Sequence, residues 1–97
     1  MIDVTAERAR VTSAMTLASA KSLLEEGNKL IGATVISFDL SAVTEVDSSG
    51  LAVVFGWLRE AKRLGKKVHV VNLPESLSSL AEVYGVSELL TTSLATH

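Results

Sequence analysis

The run Asp47-Ser48-Ser49-Gly50-Leu51-Ala52 holds the residues best suited to chemistry in this chain. It stands where a loop after a strand-like stretch meets an amphipathic helix. Free backbone N–H groups and the positive end of the helix dipole converge there. Such an end attracts an anion, including the phosphate of a phosphorylated serine in the same turn. The plain reading of the run is Asp47 as helix cap followed by favourable first-turn residues. Gly50 leaves that turn without a side chain, so another protein's backbone has room to approach.

Catalytic and metal readings find little support. Ser48 and Ser49 have no histidine base close in sequence. His69 falls in the strand-like run Val68-His69-Val70-Val71 and reads as a strand residue, and His97 is the last residue and expected to fray. The chain has no cysteine, which excludes disulfides and thiolate metal sites. Asp39, Glu45 and Asp47 are the carboxylates that could gather a divalent ion, yet they read as solvated groups around a loop. Gly27, Gly32 and Gly50 match neither standard phosphate-cradling pattern. The expectation is therefore a protein that is not an enzyme and holds no metal or cofactor.

Composition points the same way. With 97 residues, 47% hydrophobic and 21% charged, the chain can form one packed domain over residues 1–97 and is too apolar for disorder. A net charge of −2 suggests no nucleic-acid partner. Lys62, Arg63, Lys66 and Lys67 form a short basic cluster that reads as a solvated helix end. No stretch approaches the roughly 20 apolar residues needed to cross a bilayer. Met1-Ile2-Asp3-Val4 lacks the layout of a signal peptide. A cytoplasmic location follows, with any membrane association made through a partner.

The elements that position the Asp47 run can be read from periodicity. Val4–Met15 is weakly patterned and reads as two short strands or one irregular one, with Val11, Ser13 and Met15 on one face. Thr16 caps a predicted helix over Leu17–Lys29, in which Leu17, Ala20, Leu23, Leu24 and Leu30 share a spacing and Gly32 lies just beyond the end. Thr34–Leu40 is the clearest strand, apolar on both faces and so expected in the middle of a sheet. Asp47 starts a helix over Ser48–Leu64 that Gly65 stops. Lys67–Leu73 is a second buried strand. Pro74 opens a helix through Tyr84, with Leu77, Leu80, Ala81 and Tyr84 on one face and Gly85 as terminator. Leu89-Leu90 and the threonine-rich tail show no clear period. This alternation predicts an α/β fold, a small mixed and mostly parallel sheet with helices packed on it.

A wheel at about 100° per residue sharpens the reading of the middle helix. Ser48, Ala52, Arg59 and Arg63 fall on one side, bordered by Ser49 and Gly56, giving a strip that is small at its start and cationic at its end. Leu51, Val54, Phe55, Leu58 and Ala61 form the opposite arc, facing the sheet. Val53, Trp57 and Leu64 widen that arc to roughly twice what a surface helix needs. Either a neighbouring loop covers the extra width, or it is an exposed edge for binding.

The runs Ile36-Ser37-Phe38-Asp39-Leu40-Ser41 and Val46-Asp47-Ser48-Ser49-Gly50-Leu51-Ala52, with Val43 between them, resemble the signature of STAS domains. These are the modules of anti-sigma factor antagonists and of anion-transporter tails, and the similarity covers nearly the whole chain. Two groups within the family compete. The chain is similar to the STAS subunit of the phospholipid ABC transporter that maintains outer-membrane lipid asymmetry in Gram-negative bacteria (the Mla system). That similarity lies in Leu17-Ala18-Ser19-Ala20 with Leu23-Leu24-Glu25-Glu26-Gly27, in Trp57-Leu58-Arg59-Glu60-Ala61, and in Asn72-Leu73-Pro74 with Leu80-Ala81-Glu82-Val83-Tyr84-Gly85-Val86. It implies a non-catalytic subunit that sits on the cytoplasmic ATPase at the inner membrane and supports its assembly or activity. The family's contact region then maps onto Ser48, Ser49, Gly50, Ala52, Gly56, Arg59 and Arg63, with Val53 and Trp57 as flanks. Ser48 stands where characterised relatives often carry threonine. The second group is the anti-sigma factor antagonists, whose phosphorylated serine follows the aspartate. In that reading an anti-sigma factor kinase would be the partner and Ser48 its phosphosite.

Overall fold

The computed structural model describes residues 1–85; Leu89, Leu90, the threonine-rich tail and His97 lie outside the described residues. Two short strands come first, β1 (Ile2–Thr5) and β2 (Arg8–Val11), followed by α1 (Leu17–Gly32), β3 (Ser37–Asp39), α2 (Ser48–Arg63), β4 (His69–Val71) and α3 (Glu75–Val83). The sheet order is β1-β2-β3-β4. β1 and β2 are antiparallel, joined by the short turn through Ala6 and Glu7. β2–β3 and β3–β4 are parallel pairs, which require the long crossovers that α1 and α2 supply. The expected mixed, mostly parallel sheet is thus present, and β3 sits between two partners as its two apolar faces required. The β3 ladder is shorter than the Thr34–Leu40 run. It is extended by single bonds, Ile36 N–H to the Glu7 carbonyl, His69 N–H to Ile36 and Leu40 N–H to Val71.

The core forms where α1 and α2 meet over the sheet. Trp57 of α2 is fully buried, with its ring stacked on Phe38 of β3 at 4.2 Å between centroids and 9° between planes. Its indole N–H donates to the Leu23 carbonyl of α1 at 3.0 Å, so the one polar atom of a large apolar group is satisfied where water is excluded. Gly27 makes room for the ring: a Cβ there would land on Trp57 Nε1. Beside Trp57 and one turn earlier on α1, a Cβ on Gly56 would stand 2.5 Å from Leu24 Cδ1. The two helices approach closely because two glycines face two large side chains.

Several expectations change in detail. The extra apolar width of α2 is covered by a helix, α1, and not by a loop; Val53 and Trp57 are interior, and only Leu64 is left partly exposed. Leu17 does not join the buried stripe of α1 but is 77% exposed, since the first helical residue projects beyond the sheet. The stripe runs instead through Leu23, Gly27 and Ile31. Gly32 is the last helical residue, and Lys66 Nζ bonds the Ile31 and Ala33 carbonyls at 2.7 and 3.2 Å, satisfying acceptors that a helix end leaves free. Tyr84 is the C-cap of α3 and mostly exposed, while Leu77 and Ala81 carry that helix's burial. Gly65 and Gly85 follow α2 and α3 with φ of +69° and +71°, the left-handed stop expected of them.

Gly27→Ala is expected to lower stability by about 1–3 kcal/mol through overpacking, and Trp57→Ala by about 3–5 kcal/mol through a cavity. Gly32→Ala, with nothing within 4 Å, should leave the urea midpoint unchanged or raise it. Equal midpoints for Gly27→Ala and Gly32→Ala would refute the packing role given to Gly27.

Candidate functional site

The start of α2 is fixed by the loop that precedes α1. Met15 and Val46 form a parallel bridge, with Met15 N–H bonded to the Glu45 carbonyl at 2.8 Å and Asp47 N–H to the Met15 carbonyl at 3.2 Å. This places Asp47 between two helix starts. Its Oδ1 accepts from Ser49 N–H of α2 at 2.8 Å, and its Oδ2 accepts from Leu17 N–H of α1 at 3.0 Å. The Leu17 N–H, outweighing desolvation and aided by Ser49 and Gly50, holds the Asp47 carboxyl below the usual carboxylate range. The opening of α1 is completed by Ser19 Oγ, which accepts from Thr16 N–H at 3.2 Å.

On this base the outer strip of α2 stands clear of the fold. Ser48, Ala52, Arg59 and Arg63 are exposed and Ser49 is half-buried. Ser48 Oγ makes no hydrogen bond among the described residues. Phe55 and Leu58, expected against the sheet, are only partly buried; at about 100° per residue Phe55 lies close to Ser48 on the wheel. Arg63 is not a free cation. Its guanidinium forms two bonds to Glu60, at 2.8 and 2.7 Å, and this contact holds the Glu60 carboxyl below its ordinary range.

Four of the expected contact residues are interior. Gly50 is buried, and a Cβ there would lie 2.5 Å from the Met15 carbonyl oxygen; its missing side chain admits this chain's own backbone, not a partner's. Gly56 is covered by Leu24 of α1. Val53 and Trp57 belong to the core, for the reason given above, that α1 lies across them.

Sequence reasoning missed the surroundings of the tip. On one side Val46, Asp47 and Ser48 face Ser76, Ser79, Leu80, Val83 and Tyr84 of α3 across an open cleft of about 520 Å³. Val83 is 79% exposed at its edge. The spacing of Leu77, Leu80, Ala81 and Tyr84 favoured a stripe that drew Tyr84 inward, and only the short length of α3 argued otherwise. On the other side a trough runs between α1 and α2, floored by Leu24.

Among the described residues no histidine stands near Ser48 as a general base. His69 pairs with Ser37 at the beginning of β3, whereas Ser48 follows the far end of that strand. His69 Nδ1 is buried without a partner among the described residues. Asp39 accepts from Ser41 N–H at 2.8 Å and Asn72 Nδ2 at 3.1 Å. Burial alone would raise its carboxyl, but these bonds and the nearby Arg8 charge bring the net shift below the ordinary value. Among the described residues no three His, Cys, Asp or Glu side chains cluster as a metal site, and no helix is long and apolar enough to cross a membrane.

A family described as "Mlab, STAS domain" matches residues 3–91. The chain belongs to the STAS domain family. A relative of this STAS domain is the intermembrane phospholipid transport system binding protein MlaB of Haemophilus influenzae, 36% identical over 55 residues. The match covers 57% of this chain and 52% of that protein, so the STAS domain here aligns with about half of the relative's length. Among solved structures, the Bacillus anti-sigma factor antagonist SpoIIAA in its unphosphorylated form has a TM-score of 0.63 at 17% identity, over 84% of this chain and 80% of that one. A sulfate transporter family protein from Wolinella succinogenes has a TM-score of 0.66 at 16% identity, over 91% and 74%. These two likenesses establish the fold.

Asp47→Asn should be less stable than the wild type at neutral pH. Because the folded carboxyl titrates below its unfolded value of about 3.9, its contribution is present above that value. It is lost as pH falls through the lower folded one. Urea midpoints measured from pH 7 downward are expected to converge below about pH 4, and a gap that stays constant through that range would remove Asp47's charge from the account.

Proposed function

We propose that this STAS domain is a non-catalytic subunit that binds the ATPase of a phospholipid ABC transporter and supports its assembly or activity. In this reading it serves outer-membrane lipid asymmetry from the cytoplasmic side, peripheral to the inner membrane through its partner. The observation that carries the reading is the exposed step of Ser48 and Ala52 on a helix start held from beneath by Asp47 and Met15. A bare, well-supported step suits docking, and among the described residues no histidine faces it. The family match and the identity to MlaB supply the kind of partner. Ser48 and Ala52 form the seat, with Ser49 at its edge; Arg59 and Arg63 lie further along the same strip, Arg63 paired with Glu60.

A second reading, an anti-sigma factor antagonist switched by phosphorylation of Ser48, draws on one observation: the Ser48 hydroxyl is exposed and unbonded at a helix start that favours anions. Added charge there would alter the same face, so the two readings share a surface and differ in partner.

Ser48→Glu and Ala52→Trp are each expected to abolish co-purification with the transporter ATPase while changing stability by less than about 1 kcal/mol, as for exposed positions. Retention of the ATPase by both variants rejects the seat. Intact mass after incubation with an anti-sigma factor kinase and ATP is expected to stay unchanged; one added phosphate on Ser48 would favour the second reading.

A further inference from the structure

The trough between α1 and α2 carries a charge that the function above does not use. Its two openings, of about 370 and 450 Å³, share Leu24 and Arg59 and together run from Ser49 to Arg63. At 1.5 Å per helical residue that is about 21 Å. Lys21, Arg59, Lys62 and Arg63 line it, and Glu60 is the one lining carboxylate. Glu60 is already taken by Arg63 at 2.7 Å, which leaves Lys21, Arg59 and Lys62 without an ion-pair partner among the described residues. This stands out on a chain whose net charge is −2. The floor is apolar where Leu24 and Ala52 meet.

We infer that this trough binds an acidic, amphipathic peptide segment of the partner protein. Carboxylates of the segment meet Lys21, Arg59 and Lys62, and an apolar side chain rests on Leu24. At about 3.3 Å per extended residue the trough accepts roughly six residues. The inference rests on the proposed docking of a partner only in giving the segment its source, and its upper end at Ala52 and Ser49 adjoins that seat. Charge pairs on such a rim act mainly through association rate and are weakened by salt.

The test uses a fluorescein-labelled peptide of about twelve residues built from Glu-Glu-Leu repeats, titrated into the full chain, with the double variants Arg59→Glu/Lys62→Glu and Lys29→Glu/Lys67→Glu. All four positions are exposed, and matching melting curves confirm folding. The expected result is saturable, salt-sensitive binding that falls by about tenfold or more in the first variant and by much less in the second. No binding, or equal loss in both variants, overturns the inference. Co-sedimentation with phosphatidylglycerol vesicles that depends on Arg59 and Lys62, without peptide binding, would assign these cations to a bilayer and likewise overturn it. With the ATPase as partner, loss of the complex in Ser48→Glu but not in Arg59→Glu/Lys62→Glu would overturn the trough and leave the seat standing. Retention in both would overturn the two together.

Discussion

The contact on which the rest of this structure depends is the insertion of Trp57 between α1 and β3. One ring ties α2 to two other elements: it stacks on Phe38 of β3, and on α1 it bonds the Leu23 carbonyl and fills the space that Gly27 leaves open. In a domain this small, one buried indole supplies a large share of the apolar area removed from water. It also sets the distance between the two long helices. With that distance fixed, Leu24 closes over Gly56, and the inner face of α2 is committed to the core. What remains outside is a narrow strip led by Ser48 and Ala52.

The opposite requirement applies at the start of α2, where the fold must leave something open. Met15 and Val46 join the two loops, and Gly50 lets the first turn press against the Met15 carbonyl. The backbone below the tip is therefore well satisfied, while the Ser48 hydroxyl above it makes no bond among the described residues. A site with firm support and an unoccupied outer surface is suited to recognition.

Much of this was legible in sequence where a single residue carries a single mechanism. Asp47 and Gly65 marked the limits of α2 because a carboxylate cap and a left-handed glycine each act within one turn. The Asp-Ser-Ser-Gly-Leu block carried the family resemblance. Legibility failed where meaning depends on a distant neighbour. Gly27 read only as a glycine outside any phosphate-cradling pattern and Gly56 as the border of a contact strip, since nothing local says that Trp57 and Leu24 lie opposite. Gly50 read as space for a partner for the same reason. The hairpin of β1 and β2 was obscured by poor alternation, only Ala9 and Val11 being buried in β2. Tyr84 had the correct spacing for burial, but α3 ends at Val83 before it can turn inward.

The shared carboxylate of Asp47 has an entropic consequence. Helix ends ordinarily fray one by one, and a partner that lands on such an end must first immobilise it. Here the initial turns of α1 and α2 hang from the same two oxygens, so they loosen or hold as one body. The conformational freedom that association would otherwise remove has already been given up when the chain folds, so any partner landing on this surface would meet it preorganised.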